Sequence, residues 1–263
     1  MKNVFLVLSF VIAGASVNAD SLKFRSFEQN RSNLPGSYDA VRSSQIPLSG
    51  RGHRFRIYGG DCVVPNYGGQ SVGDCTYKSV RSQLMERGWN KPSIKQPESA
   101  WYGFDFLMPQ DFPIGGAQTK GLYNYVQWKG NNCPHVALVS NQKSTQLAFQ
   151  LMRTTGTNDC EPLVKKGLLN LNTVKGRWTR IEVFARWSKG NEGRLEFYVD
   201  GERVGTHSGP TLTAMPAQSG ASIKNHFDFG PYLCCTSGLQ NIRPGTLYYA
   251  NVSRAATRDA LWK

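Results

Sequence analysis

The sequence is short of acid. Asp and Glu together number 18 against 31 Lys and Arg, a formal charge of +13 over 263 residues. A surplus of that size points to a polyanionic partner: nucleic acid, an anionic membrane surface or an acidic polysaccharide. Helical periodicity is scarce, and with 27 Gly and 13 Pro a coiled coil is excluded. Beyond the first twenty residues no apolar run is long enough to cross a bilayer, so no membrane span is expected. There is no Cys-x-x-Cys pair and no nearby pair of His, which argues against structural zinc. The tight acidic pattern Glu-x-Asp-x-x-Glu is absent, and Glu196 has no acidic neighbour two or four residues away on its strand. A retaining hydrolase, which needs two carboxylates about 5–5.5 Å apart, is therefore not indicated. No His-centred nuclease motif and no phosphate-cradling Gly loop occur, so nucleic acid is not the expected partner. Single-strand binding through basic and aromatic residues stays open.

What is present can build a core. The chain is 40% hydrophobic and 11% aromatic, which excludes a disordered composition. Lys2, the apolar run Phe5 to Ala15 and the small-x-small step Val17-Asn18-Ala19 read as a signal peptide over residues 1–19. Its removal takes away only Lys2, so the mature charge is +12 and the protein is expected to be secreted or periplasmic. Residues 20–50 read as an irregular lead-in, and 51–263 as one domain. Six cysteines lie beyond the leader: Cys62, Cys75, Cys133, Cys160, Cys234 and Cys235. Export makes disulfides the default for them. Proximity favours Cys62 with Cys75 and, less strongly, Cys133 with Cys160, and the sequence does not decide among the many pairings.

The dominant period is two. Ile181, Val183, Ala185 and Trp187 alternate with Arg180, Glu182, Phe184 and Arg186. Leu195, Phe197 and Val199 repeat the pattern, and Asp200-Gly201 between two such runs predicts a tight hairpin. Further strands are expected at 53–58, 79–86, 101–108, 122–129, 135–140, 146–152, 227–233 and 246–252. Many short strands separated by Gly and Pro turns imply an all-β sandwich or jelly roll. A bent sheet of this kind presents alternate side chains to a concave face suited to an extended polymer.

Three segments carry groups fit to hold a carboxylate or move a proton. In Arg81-Ser82-Gln83-Leu84, Arg81 and Gln83 are expected on one face. In Tyr125-Val126-Gln127-Trp128-Lys129, the residues Tyr125, Gln127 and Lys129 are expected to point together. In His226-Phe227-Asp228-Phe229-Gly230-Pro231-Tyr232, His226, Asp228 and Tyr232 alternate with Phe227 and Phe229.

In this order the segments resemble the jelly-roll polysaccharide lyases, the heparin lyase I and glucuronan lyase group above all, with alginate lyases as cousins. Alginate lyases carry Arg-Ser/Thr-Glu-Leu, Gln-Ile-His and Tyr-Phe-Lys-x-Gly-x-Tyr strands. The counterparts here are Arg81 to Leu84, Gln127 to Lys129 and His226 to Tyr232. Trp101-Tyr102-Gly103-Phe104, the Pro109 to Pro113 loop, Gly176-Arg177-Trp178 and Leu195 to Gly201 extend the likeness over roughly residues 50–255. The resemblance implies a concanavalin A-like β-jelly roll with a substrate groove, cutting a uronate polymer by β-elimination. The sequence departs from the pattern at four positions: Lys129 replaces the groove His, Asp228 the strand Lys, Gln83 the Glu, and His226 the leading aromatic.

The elimination gives these residues expected roles. The proton removed lies alpha to a carboxylate, whose charge must be met by donors as the transition state forms. Gln127 and Arg81 suit that task, Arg as a bidentate fork. Tyr232 is the expected acid for the leaving oxygen, and the base is Tyr232 itself, Lys129 (which could instead neutralise the carboxylate) or, as further candidates for proton transfer, His226 or His135. Gln83, Tyr125, His135, His226 and Asp228 are the expected substrate-binding residues. No cofactor is required; a structural Ca²⁺ is compatible with such a fold, but no acidic loop calls for it. The expected partner is an acidic polysaccharide, and the chain is read as a monomer. A lectin-like protein of the same fold is the alternative. It would keep Arg81, Gln127 and the aromatics without needing Tyr232 as an acid.

Overall fold

The computed structural model describes residues 24–26, 38–59, 79–86, 98–114, 121–130, 133–141, 144–154, 160–213, 225–234 and 242–263. The leader segment and Cys62, Cys75 and Cys235 lie outside them. The strands are β1 Phe24–Ser26, β2 Tyr38–Arg42, β3 Arg51–Ile57, β4 Val80–Arg81, β5 Leu84–Glu86, β6 Ser99–Leu107, β7 Leu122–Lys129 and β8 Pro134–Asn141. They continue as β9 Gln146–Thr154, β10 Cys160–Asn170, β11 Trp178–Arg186, β12 Arg194–Val199, β13 Glu202–Ser208, β14 His226–Cys234 and β15 Gly245–Ala255. One sheet runs β1-β5-β14-β7-β8-β9-β10, with β4 also paired to β14. The other runs β13-β12-β11-β6-β15-β3-β2. Every pairing is antiparallel. The expected jelly-roll sandwich is the fold.

The alternation read from the sequence places the core. Ile181, Val183 and Ala185 of β11 and Trp187 just beyond it share one buried cluster with Phe227, Phe229, Trp128 and Val126 of the other sheet. Tyr249 sits at its centre, with ring contacts to Phe55, Phe104, Phe106 and Phe229. Burial of this much aromatic surface is the main force holding the two sheets together. The β12–β13 hairpin closes through Asp200 and Gly201 at φ 49° and 89°, the left-handed pair that a type I′ turn demands.

Three expectations change. The lead-in expected to be irregular supplies a strand to each sheet, β1 on β5 and β2 on β3. The expected strand over 79–86 is split into β4 and β5 at Ser82-Gln83. The edge strand β10 was not read from the sequence, because register shifts between Pro162 and Val164 and between Gly167 and Leu169 break its alternation. β10 is tied to the sheet by a disulfide from Cys133 to Cys160.

Candidate active site

The outward face of the β14-β7-β8-β9 sheet gathers most of the residues singled out above. Register arranges them in rows across the strands. Tyr232 pairs with Arg81 on one side and Asn124 on the other. Asp228 pairs with Gln127, which pairs with Ala137, which pairs with Gln150. His226 pairs with Lys129. The middle row, centred on Gln127, thus lies between the Arg81–Tyr232 row and the His226–Lys129 row. Adjacent strands are about 4.8 Å apart, so neighbours within a row can act on one ligand.

The Arg81–Tyr232 pair is shaped by its backbone. The guanidinium lies 3.9 Å over the tyrosine ring. Such stacking fixes the plane of both groups. Beside it, β14 carries a register shift between Phe229 and Tyr232 at Gly230-Pro231. Ser82 N donates to Pro231 O at 2.9 Å and Gln83 Nε2 donates to Gly230 O at 3.1 Å. Gly230 has φ 112°, and a Cβ there would stand 2.3 Å from Ser82 O. Only glycine lets the two strands approach this closely. Gln83, expected to bind substrate, therefore braces this bulge through its amide nitrogen. Asn124 Nδ2 contacts Tyr232 O at 3.4 Å from the other flank.

All three rows are largely shielded from water, Arg81 and Asn124 being buried as well. Gln127, His226 and Asp228 are 2–3% exposed and His135 is fully buried. Lys129 and Tyr232 are only partly covered. His226 Nε2 lies 3.4 Å from Asp228 Oδ1, so two of the four departures from the lyase pattern contact each other. His135 sits beside Lys129, where the β7–β8 register shifts and Lys129 pairs with Pro134. Gln83 Oε1 and Gln150 Oε1 are buried with no hydrogen-bond partner among the described residues. Buried acceptors left so cost about 1–3 kcal/mol each.

Tyr125 does not join this face. A register shift between Asn124 and Val126 makes it a bulge residue and turns its ring into the core, against Tyr123 and Phe106. Its hydroxyl meets Ser140 Oγ at 2.7 Å, and its carbonyl accepts from the Tyr249 hydroxyl at 2.9 Å. Burial pushes its pKa up. Its expected substrate-binding role is corrected: the bulge gives its outward place to Asn124. Asn124 and Gln150 are the site residues that the strand readings missed. Gln150 was legible as the polar partner of Leu147, Phe149 and Leu151; Asn124 was hidden by the bulge.

Among the described residues no group of three or more His, Cys, Asp or Glu side chains is placed to hold a metal ion. No helix among them is long and apolar enough to cross a membrane. The sequence model of the family described as Polysaccharide lyase matches residues 19–253. The chain belongs to this family. It is a polysaccharide lyase. No curated protein matches the chain in sequence. Among solved structures, the endo-β-1,4-glucuronan lyase of the fungus Trichoderma reesei is similar at a TM-score of 0.57 and 12% identity. That likeness covers 87% of this chain and 91% of the other. Alginate lyase A1-II′ of polysaccharide lyase family 7 is similar at 0.49 and 12% identity, over 82% and 86% of the two chains. At 12% identity the likeness to the glucuronan lyase is one of fold. In the polysaccharide lyase, Lys129, His226 and Asp228 lie in the two rows nearest the His226 end of β14, and Gln83 lies beside the bulge.

Proposed function

We propose that this polysaccharide lyase is exported and cleaves a uronic acid-containing polymer by β-elimination on the outward face of the β14-β7-β8 sheet. The observation that carries the reading is the stacked Arg81–Tyr232 pair one row from Gln127 on the same face. Arg81 and Gln127 would hold the uronate carboxylate and accept charge onto it in the transition state. A base then removes the C5 proton. Those electrons form the C4=C5 double bond, the C4–O4 bond breaks, and O4 leaves with a proton supplied by an acid. Tyr232, partly open to the face, is assigned as the acid. The base is Tyr232 in a syn elimination, or Lys129 or His226 from the far row. Gln83 and Gln150 offer acceptors to sugar hydroxyls, and His135 and the His226–Asp228 pair line the same sites. In this reading protein donors meet the carboxylate, so no cofactor takes part, and the enzyme acts as a monomer.

Secretion is supported by the leader-like first 19 residues, and the Cys133–Cys160 disulfide suits an oxidising compartment. The excess of positive charge favours a polyanion and would speed its capture. Glucuronan, alginate and heparin are the candidate substrates. The test is to incubate the protein with each and follow the ultraviolet absorbance of an unsaturated uronate. Product from at least one polymer is expected. Binding to a polymer without any new absorbance would replace catalysis with carbohydrate binding alone.

A further inference from the structure

The opposite side of the sandwich carries a second cleft, of about 560 Å³, that the elimination does not use. Its floor is the outward face of β11 and β6. Alternation sets Trp178, Arg180 and Glu182 in line, and Asp105 pairs with Arg180. Its walls are the Asp200-Gly201 turn, Pro47, and the C-terminal 3-10 turn Arg258–Trp262. That turn packs over Gly103, where a Cβ would stand 2.9 Å from the Trp262 ring.

The charged groups of the cleft are already fixed by the protein. Asp105 accepts from Arg180 Nε at 3.4 Å and from Asn251 Nδ2 at 2.6 Å. Glu182 accepts two bonds from Arg258 and one from Trp262 Nε1 at 2.7 Å. Arg180 lies 4.0 Å over the Trp262 ring and Arg258 lies 4.1 Å over Tyr198. Both guanidinium groups are thus locked, so little freedom is lost when they bind something further. Among the described residues nothing bonds the indole N–H of Trp178, the terminal nitrogens of Arg180, Nη1 of Arg258 or the exposed carboxylate of Asp259. Four carboxylates and two guanidinium groups line the cleft, and Arg177 beside it pairs with Asp200 at 2.7 Å, so Asp259 is the one acid in excess and the cleft is mildly acidic on a strongly basic protein.

We infer that this cleft is a second carbohydrate site, selective for neutral pyranose units. Its volume falls in the range of small-ligand sites. Trp178 offers an aromatic surface for the C–H face of a pyranose, and donors and an acceptor around it match hydroxyls that do both. The excess of acid disfavours the polyanion that the first face would take. The enzyme would hold a neutral polysaccharide with one side of the sandwich while cutting a uronate with the other.

Calorimetric titration with hexasaccharides of β-1,4-glucan, β-1,4-xylan and β-1,4-mannan, and with glucuronan and alginate hexamers, tests this. At least one neutral hexamer should bind. Trp178→Ala should weaken that binding at least about tenfold, and Asp259→Asn, at an exposed position, should weaken it several-fold without risk to the fold. Neither variant should change the rate on soluble uronate, and Tyr232→Phe should leave neutral binding intact. The inference fails if no neutral hexamer binds at millimolar concentration. It fails equally if both variants bind like the parent, or if the uronate hexamers are what Trp178→Ala releases.

Discussion

Replacing Gly230 by Ala probes how the backbone sets the site. The new Cβ would lie 2.3 Å from Ser82 O and 3.0 Å from Gln83 Cα, both backbone atoms that cannot swing away. The φ of 112° adds strain of about 1–3 kcal/mol for a residue with a side chain. Relieving the overlap by moving strands costs about 1–3 kcal/mol more. At about 2–4 °C per kcal/mol for a chain of this size, the melting temperature should fall by about 5–20 °C. The strand that must move carries Tyr232, and its neighbour carries Arg81. A displacement near 1 Å at a reacting group can cost about 100-fold in rate. Gly201→Ala is the matched control: its φ is 89° but nothing lies within 4 Å of the added carbon. It should cost only the left-handed strain, about 1–2 kcal/mol, and no activity. The assay is the initial rate of unsaturated product on the best uronate, taken well below both melting temperatures measured by circular dichroism. If Gly230→Ala keeps the parent rate and melts like Gly201→Ala, the bulge does not position the site.

Other outcomes follow from single contacts. Burial lowers the His53 pKa from 6.5 to about 4. The unfolded chain therefore takes up the extra proton first, and stability complete above about pH 6.5 should fall by up to about 3 kcal/mol as pH drops towards 4; urea midpoints against pH should show this slope and His53→Phe should flatten it. Cutting the Cys133–Cys160 link, which closes a sequence separation of 27, with a double Ser substitution should cost about 3.5 kcal/mol in a urea titration. Lys129→Ala should lower the lyase rate at least about 100-fold if Lys129 moves a proton or faces the carboxylate. Lys129→His, which supplies another group able to move a proton, should retain more activity than Lys129→Ala and shift the pH–rate profile towards imidazole titration.

Much of this was legible because period-two patterning survives burial. Ile181, Val183 and Ala185 on one face, and the Asp200-Gly201 turn, were read directly and are where the alternation put them. Readings failed where an extra residue interrupts the ladder. The bulge at Tyr125 sends an expected groove residue into the core and hands its place to Asn124. The shifts in β10 erase its pattern altogether. A bulge is set by pairing with a neighbouring strand, and no local sequence feature announces it. The rows across strands were equally invisible, since Gln127, Asp228 and Gln150 meet only through register. The second cleft needed the C-terminal turn folded over Gly103, a contact between residues far apart in the chain.

The central claim is that Tyr232 moves a proton on the face where Arg81 and Gln127 hold a uronate carboxylate. Tyr232→Phe tests it most directly, because the ring that stacks on Arg81 stays and only the hydroxyl is lost. On whichever of glucuronan, alginate or heparin the parent cleaves, the variant should bind the polymer with unchanged affinity and form unsaturated product at least about 100-fold more slowly. Parent-like product formation by Tyr232→Phe would contradict the account.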